Sequence, residues 1–224
     1  MVALTLAESL LFLCIDYRGK VTKTFELRYS MAGALILDLA LENKITISQE
    51  ARPLIEYVEG SESTSTLHNE LLKRINNSWA RPVKRWIAKM GRGHRNVRKQ
   101  LLLSLQEKRI IERKSGLLTR YAIINKTIQD EIINTLRNLQ TTNQKTRNYI
   151  YCLVALIRIA KLLFKIPNIE FIETPPFEKE AIKTIADDKT RIYTAFVIHE
   201  IERFILINNI LTTVSDCLEC CDCA

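Results

Sequence analysis

The sequence contains little glycine and proline, with 6 Gly and 5 Pro among 224 residues. Sandwich and barrel folds need many tight turns, which these residues commonly supply, so their scarcity argues against both folds. Hydrophobic residues make up 47% and charged residues 26%, proportions that exclude disordered, collagen-like and multi-span membrane classes. We therefore predict a mostly α fold, a single globular helical domain with short β-hairpins.

Sequence signatures of catalysis are also missing. Gly91-x-Gly93 is followed by Asn96 where a dinucleotide fingerprint requires a third glycine. His199-Glu200 begins a zinc-protease motif, but Arg203 stands at the position of the second histidine, and one imidazole cannot hold a catalytic zinc. We predict no catalytic residues, no metal site and no cofactor, so the protein is not expected to be an enzyme.

A secretory signal is not apparent either, because no cationic start precedes the first apolar stretch and Glu8 stands just before it. We expect a cytoplasmic location. In such a reducing compartment Cys14 and Cys152, which lie in apolar runs, are expected to be reduced core residues.

One segment, Tyr149–Ile166, approaches the length of a membrane span. Arg158, Lys161 and Lys165 interrupt it and recur on one helical face. The pattern favours a buried core helix with one solvent-exposed polar stripe. An amphipathic helix lying in a membrane interface is the alternative, since its polar stripe is entirely cationic.

The C-terminus is rich in cysteine, at positions 217, 220, 221 and 223. These thiols could bind a soft metal or be acylated at a membrane, but their spacing is not that of a structural zinc site. We therefore expect a mobile tail. The predicted organisation is one domain over residues 1–210 and a Cys-rich tail over residues 211–224.

Hydrophobic periodicity predicts the helices, and a capping box at Thr5-Leu6-Ala7-Glu8 marks the first one. A short strand is predicted at Lys44–Ile47, and a helix, strand, turn, strand unit of winged-helix type from Arg95 to Ile124. The remaining predicted helices are Leu27–Glu42, Leu67–Ile75, Val83–Met90, Arg95–Lys108, Ile128–Leu139, Tyr149–Ile166 and Phe177–Ile210.

Positive charge is concentrated in one segment. The net charge of +8 arises between Glu70 and Glu107, where no acidic residue occurs and ten basic residues do. Such a local excess predicts an anionic partner. The ten are Lys73, Arg74, Arg81, Lys84, Arg85, Lys89, Arg92, Arg95, Arg98 and Lys99.

Two of these residues stand at a helix start. Arg95 and Arg98 are three residues apart, so both guanidinium groups point to one face near the positive end of the helix dipole. Gly91 and Gly93 are expected to leave the preceding backbone open to close approach. Arginine binds phosphate bidentately, so this arrangement suits a phosphate group, although a solvated cationic face has the same pattern.

Several segments between residue 4 and about residue 140 follow one another in a recognisable order. The most specific is Arg95-Asn96-Val97-Arg98-Lys99-Gln100-Leu101, which leads to Leu105–Ile111. The others are Leu4–Leu11, Asp16–Gly19, Ala32–Leu41 and Val83–Ile87. In this order the segments resemble the Golgi phosphoprotein 3 family.

The resemblance implies a mostly helical domain that binds the phosphatidylinositol 4-phosphate headgroup at a membrane surface. Eukaryotic members also act as adaptors that retain Golgi enzymes through their short cytoplasmic tails, which implies the cytosolic face of the Golgi if this chain is eukaryotic. Arg95 and Arg98 match the arginines of the family's lipid pocket. The Ala32-Gly33-Ala34-Leu35 run looks closer to compact prokaryotic members. The resemblance leaves open whether the protein forms a homo-oligomer.

The sequence departs from the family at other pocket positions. A third pocket arginine would fall at Ala32, and Arg28, one helical turn earlier, is expected to compensate in part. The family's pocket tryptophan has no counterpart, although Phe25 lies in the corresponding loop. The apolar hairpin that some members insert into membranes is replaced by the more polar Lys114–Arg120. The predicted phosphoinositide-binding residues are Arg95, Arg98, Arg92, Lys99, Arg28 and Phe25.

The alternative function is nucleic-acid binding, because a basic helix followed by a two-stranded wing is also how winged-helix proteins contact DNA. Against this alternative, Val97, Leu101 and Leu105 commit much of the helix to the core.

Overall fold

The computed structural model describes residues 4–115, 119–137, 144–162 and 188–221, and for residues 136, 137, 144, 145 and 208–221 it describes the backbone only. The fold is mostly helical, 63% helix, with small antiparallel strand pairs, as predicted. The helices of the described residues are α1 Leu6–Leu13, α2 Phe25–Leu41, α3 Thr66–Asn76, α4 Val83–Arg92, α5 His94–Glu107, α6 Lys126–Arg137, α7 Gln144–Ile159 and α8 Asp188–Cys221.

The first helix begins where its capping box predicts. The Thr5 hydroxyl accepts a hydrogen bond from the Glu8 amide at 3.2 Å, and a Glu8 carboxylate oxygen accepts one from the Thr5 amide at 2.9 Å. These bonds satisfy two of the amides that a helix start leaves without a partner.

The central helix is α2, which packs against α1, α4, α7 and α8. Every residue from Ser30 to Ala40 is buried, in agreement with the apolar composition of its second half. Each fully buried Leu or Ile contributes about 1.5–3 kcal/mol. Asp38 is the charged member of this run, and its carboxylate accepts hydrogen bonds from the amides of Leu6 and Ala7 at 2.7 and 3.1 Å. The central helix therefore caps α1.

Two small sheets accompany the helices. The first has three antiparallel strands in the order β1 Ile45–Ile47, β2 Leu54–Tyr57 and β3 Arg81–Pro82. The sequence analysis predicted β1 but missed β2 and β3, because a strand of four residues and one of two carry little periodicity of their own. Their pairing, with Leu54 opposite Pro82, is a tertiary contact.

The second sheet is the predicted hairpin, with β4 Ile111–Lys114 paired to β5 Arg120–Ile123. It directly follows α5, so the predicted order of a helix followed by two paired strands is confirmed. Residues 116–118, between the strands, lie outside the described residues. The turn before α2 packs against this hairpin: the Tyr121 amide donates to the Gly19 carbonyl at 2.8 Å. Gly19 has a φ of +76°, and a Cβ there would lie 2.2 Å from the Tyr121 carbonyl oxygen. Only glycine fits this contact.

The candidate membrane span overlaps the core helix α7, which runs from Gln144 to Ile159 and so ends before the predicted Ile166. Residues 163–166, which include Lys165, lie outside the described residues. All residues from Ile150 to Ile157 in α7 are buried, which confirms the core prediction. Lys161, just beyond α7, forms an ion pair with Glu26 at 2.8 Å. Among the described residues, no helix has both the length and the apolar character needed to cross a bilayer.

The cysteine predictions divide into two groups. Cys14 and Cys152 are buried, as expected of core residues. The predicted boundary between residues 210 and 211 falls inside α8, whose backbone remains helical to Cys221. The side chains of the terminal cysteines lie outside the described residues, so the role of the tail stays a prediction.

Candidate anion-binding site

A cavity of about 240 Å³ lies between the start of α2 and the start of α5. The loop immediately before α2 completes its wall. We call this cavity the arginine pocket. Its lining residues are Thr22, Lys23, Thr24, Leu27, Arg28, Met31, His94, Arg95 and Arg98.

Helix α5 supplies two arginines and one histidine to the arginine pocket. Gly93 separates α4 from α5, so His94 is the first residue of the new helix. The buried Val97 and Leu101 fix one face of α5 against the core. Arg95 and Arg98 therefore share another face, as their spacing predicts.

Helix α2 supplies the opposite wall. Thr24 is its N-cap, and the Thr24 hydroxyl accepts a hydrogen bond from the Leu27 amide at 3.1 Å. This cap sets the start of the helix, and with it the positions of Arg28 and Met31, about one turn apart on the pocket wall. Ala32 is buried and does not line the pocket. Arg28, one helical turn before Ala32, therefore brings a third guanidinium group to the site.

The charge of the arginine pocket is not balanced by acidic groups. Lys23, Arg28, Arg95 and Arg98 are its four cations, and none of its described lining residues is acidic. Within the described part of the chain, none of the four cations forms an ion pair. The acidic residue in the first turn of α2, Glu26, is instead paired with Lys161. Uncompensated cations around a cavity attract an anion.

His94 adds a titratable group to the pocket. Its Nδ1 lies 3.1 Å from the Gly91 carbonyl oxygen. A carbonyl oxygen only accepts, so Nδ1 carries the proton and Nε2 has none when the ring is neutral. Burial first, and then the positive charges of Arg28 and Arg98, lower the pKa of His94, while the bond to Gly91 acts in the opposite direction. A bound anion would counteract the neighbouring charges and favour the imidazolium form.

Three predicted site residues lie outside the lining of the arginine pocket. Arg92 is exposed at the end of α4, with its Nε 3.3 Å from the Ala88 carbonyl oxygen. Lys99 is exposed on α5. Phe25 is the first residue of α2, and its ring centre lies 4.8 Å from that of Tyr29. The structure therefore places Phe25 in an aromatic contact beside the pocket, and not on the pocket wall.

The expectation that Gly91 leaves the backbone open to a ligand is wrong. Gly91 is buried in the last turn of α4, and a Cβ there would lie 2.5 Å from the ring of Tyr29. That ring stacks on Phe204 of α8 at 5.1 Å. The space above Gly91 is filled by this packing. Gly93 is open, because the nearest atoms to a Cβ there lie 3.6 Å away.

The sequence analysis missed Lys23, Thr24 and His94 as pocket residues. Thr24 carried a usable signal, since threonine immediately before a helix is a common N-cap. Lys23 and His94 are neighbours of Thr24 and Arg95 in the sequence, but only the approach of α2 to α5 brings them together.

Other candidate sites receive no support from the described residues. The described residues contain no group of three or more His, Cys, Asp or Glu side chains that could hold a metal ion. His199 is exposed on α8.

Residues 6–187, most of the chain, match the sequence profile of the Golgi phosphoprotein 3 (GPP34) family. The chain therefore belongs to this family, as its resemblance predicted. Membership supports a Golgi phosphoprotein 3-like role. No significantly similar sequence was found among curated proteins.

Proposed function

We propose that this member of the Golgi phosphoprotein 3 family is a peripheral membrane protein that binds the phosphorylated headgroup of a phosphoinositide in the arginine pocket. The observation that carries the proposal is the convergence of Arg28, Arg95 and Arg98 on one cavity that has no acidic residue among its described lining residues. Two helices far apart in sequence supply these arginines, so the convergence is a property of the fold.

The chemistry of the pocket suits a phosphate monoester. Each guanidinium group can bind two phosphate oxygens at once, and Lys23 adds a point charge. The start of α5 contributes the positive end of a helix dipole. Thr22 and Thr24 supply hydroxyl groups at the same wall. The apolar Leu27 and Met31 can cover the less polar face of the headgroup.

The rest of the basic segment serves general attraction to an anionic membrane. Lys73, Lys84 and Arg85 are exposed and lie outside the arginine pocket. Near an anionic leaflet such residues each contribute about 1 kcal/mol, and the contribution falls off within a Debye length. We therefore assign attraction to the segment as a whole and headgroup recognition to the pocket.

Family membership supports a more specific form of the proposal. The headgroup is that of phosphatidylinositol 4-phosphate, and in a eukaryotic cell the membrane is the cytosolic face of the Golgi. The partners are then the cytoplasmic tails of membrane proteins that the chain retains as an adaptor in vesicle trafficking, and a second copy of the chain where it self-associates.

Sedimentation with vesicles tests the proposal. Vesicles containing phosphatidylinositol 4-phosphate are compared with phosphatidylserine vesicles of equal surface charge. We expect the wild type to prefer the phosphoinositide and Arg95→Ala/Arg98→Ala to lose that preference. The control Arg52→Ala/Arg85→Ala removes two exposed arginines outside the pocket and should retain it. An unchanged preference in Arg95→Ala/Arg98→Ala would overturn the proposal.

A DNA-binding assay on the wild type, beside the vesicle assay, tests the nucleic-acid alternative. If the wild type instead shifts duplex DNA at moderate salt while showing no preference among the vesicles, the winged-helix alternative is favoured. The packing of α5 weighs against it, because Val97, Leu101 and Leu105 are buried in the core.

A further inference from the structure

A second cationic cavity adjoins the arginine pocket. It lies between the turn that precedes α2, helix α5 and the β4–β5 hairpin, and its volume is about 590 Å³. We call it the hairpin cavity. Its lining residues are Arg18, Lys20, Val21, Lys23, Arg98, Leu102, Thr119, Arg120 and Tyr121.

The two cavities share part of their walls. Lys23 and Arg98 line both of them. A group bound in one cavity is therefore a direct neighbour of a group bound in the other, with these two side chains between them. Pockets for small molecules commonly measure about 300–1,000 Å³. The arginine pocket alone is smaller than this range, whereas the hairpin cavity falls within it.

The hairpin cavity adds three cations to the shared pair, namely Arg18, Lys20 and Arg120. None of these three forms an ion pair within the described residues. The closest acidic residue in sequence, Asp16, turns a carboxylate oxygen to the backbone amides of Arg18 and Lys20, at 2.8 Å each. Asp16 thus holds the turn in shape and is not among the lining residues.

The walls of the hairpin cavity are joined to each other. The contact between Gly19 and Tyr121 ties the turn to strand β5, and Ile15 and Val21 form a β-bridge at the base of the turn. Arg18, Lys20 and Arg120 are therefore presented by connected backbone. Cations carried on connected backbone lose less entropy when they bind an anion than cations on independently moving segments do.

We infer that the hairpin cavity binds a second phosphate group beside the one in the arginine pocket, so that the joined site recognises two neighbouring phosphates. The inference rests on the proposed function and extends it. The second phosphate has two chemical sources: a further monoester on the same inositol ring, or the phosphate of a neighbouring anionic lipid.

The decisive variant is Arg18→Gln/Arg120→Gln, which changes the hairpin cavity and leaves the arginine pocket intact. Arg52→Gln/Arg85→Gln is its matched control, because it removes the same charge from outside both cavities. Binding is measured by calorimetry with the soluble headgroups of phosphatidylinositol monophosphate and bisphosphate. It is also measured by sedimentation with monophosphate vesicles that contain or lack phosphatidic acid.

If the second phosphate is on the same ring, the wild type binds the bisphosphate headgroup roughly tenfold more tightly, as expected for one charged hydrogen-bonding partner. Arg18→Gln/Arg120→Gln then loses this advantage, and the control keeps it. If the source is a neighbouring lipid, the soluble headgroups bind equally. Phosphatidic acid then strengthens vesicle binding by a similar factor in the wild type but not in Arg18→Gln/Arg120→Gln.

The inference is overturned if Arg18→Gln/Arg120→Gln matches the control in both assays. Failure of the proposed function has a different signature. In that case Arg28→Gln/Arg95→Gln, which leaves the hairpin cavity intact, keeps the wild-type preference for the monophosphate over phosphatidylserine.

Discussion

At the C-terminal end of α5, Lys108 donates to both carboxylate oxygens of Glu8, at 2.8 and 2.6 Å. At the N-terminal end, Arg95 and Arg98 line a cavity and form no ion pair within the described residues. Glu8 is 3% exposed and also accepts from Ser104 at 2.6 Å. The same helix therefore has one end where charge is neutralised inside the protein and another where charge faces an open cavity.

This difference separates two uses of positive charge. A buried carboxylate requires a partner, because an uncompensated buried charge destabilises the fold by several kcal/mol. Cations at the rim of a cavity remain solvated and need no internal partner. Removing charge at the first end should therefore change stability, and removing it at the second should change binding.

The largest effect is expected from Glu8→Ala. It removes a buried carboxylate that accepts hydrogen bonds from Lys108, Ser104 and the Thr5 amide, so the free energy of unfolding should fall by about 3 kcal/mol. Urea denaturation measures this change. Glu107→Ala, which removes an exposed acid near the same end of α5, should change it by less than about 0.5 kcal/mol. Equal effects in the two variants would contradict the structural role of Glu8.

The next largest effect is on membrane affinity and is measured by comparing substitutions of two exposed arginines. Arg28 lines the arginine pocket, whereas Arg92 does not. Arg28→Gln should weaken binding to phosphoinositide vesicles roughly tenfold, the loss expected for one charged hydrogen-bonding partner. Arg92→Gln should leave the headgroup preference unchanged, and neither variant should alter the urea midpoint. A larger loss of affinity in Arg92→Gln than in Arg28→Gln would indicate that the headgroup binds near the end of α4 and not in the arginine pocket.

A smaller effect is expected from pH. The lowered pKa of His94 leaves the ring neutral at pH 7, and protonation on acidification adds a cation facing Lys23, Arg28, Arg95 and Arg98. The affinity ratio of wild type to His94→Gln for phosphoinositide vesicles should therefore rise severalfold from about pH 7.5 to 5.5. Using a ratio cancels the titration of the phosphate itself, whose second pKa is about 6. A ratio independent of pH would exclude His94 from the site.

The smallest effect is expected from Lys84→Gln, which removes an exposed charge outside the arginine pocket. Vesicle binding at low salt should weaken about twofold, as for other exposed charges. The difference should vanish near 1 M salt, where the Debye length is about 3 Å. The preference for phosphoinositide over phosphatidylserine should not change. A loss of vesicle binding that does not depend on salt would indicate that Lys84 makes a specific contact with the headgroup, which contradicts its position outside the arginine pocket.

Local signals in the sequence were sufficient to predict much of the fold and part of the candidate site. The capping box of α1, the apolar run of α2 and the spacing of Arg95 and Arg98 each act within a few residues, so each was predicted correctly. Strands β2 and β3 were missed because pairing with distant partners stabilises them. The role of Gly91 was misjudged because the space above it is filled by Tyr29, which belongs to another helix.

The sequence by itself determined the mostly helical class, the start of α1 and the family, since these depend on residue type and short-range order. Tertiary structure decided which charges meet. Asp38 caps α1 from a distance of more than 30 residues, and Arg28 joins Arg95 and Arg98 in one cavity. The physical reason is that hydrogen bonds and ion pairs act over a few ångströms in space, and only packing of the helices brings distant residues within that range.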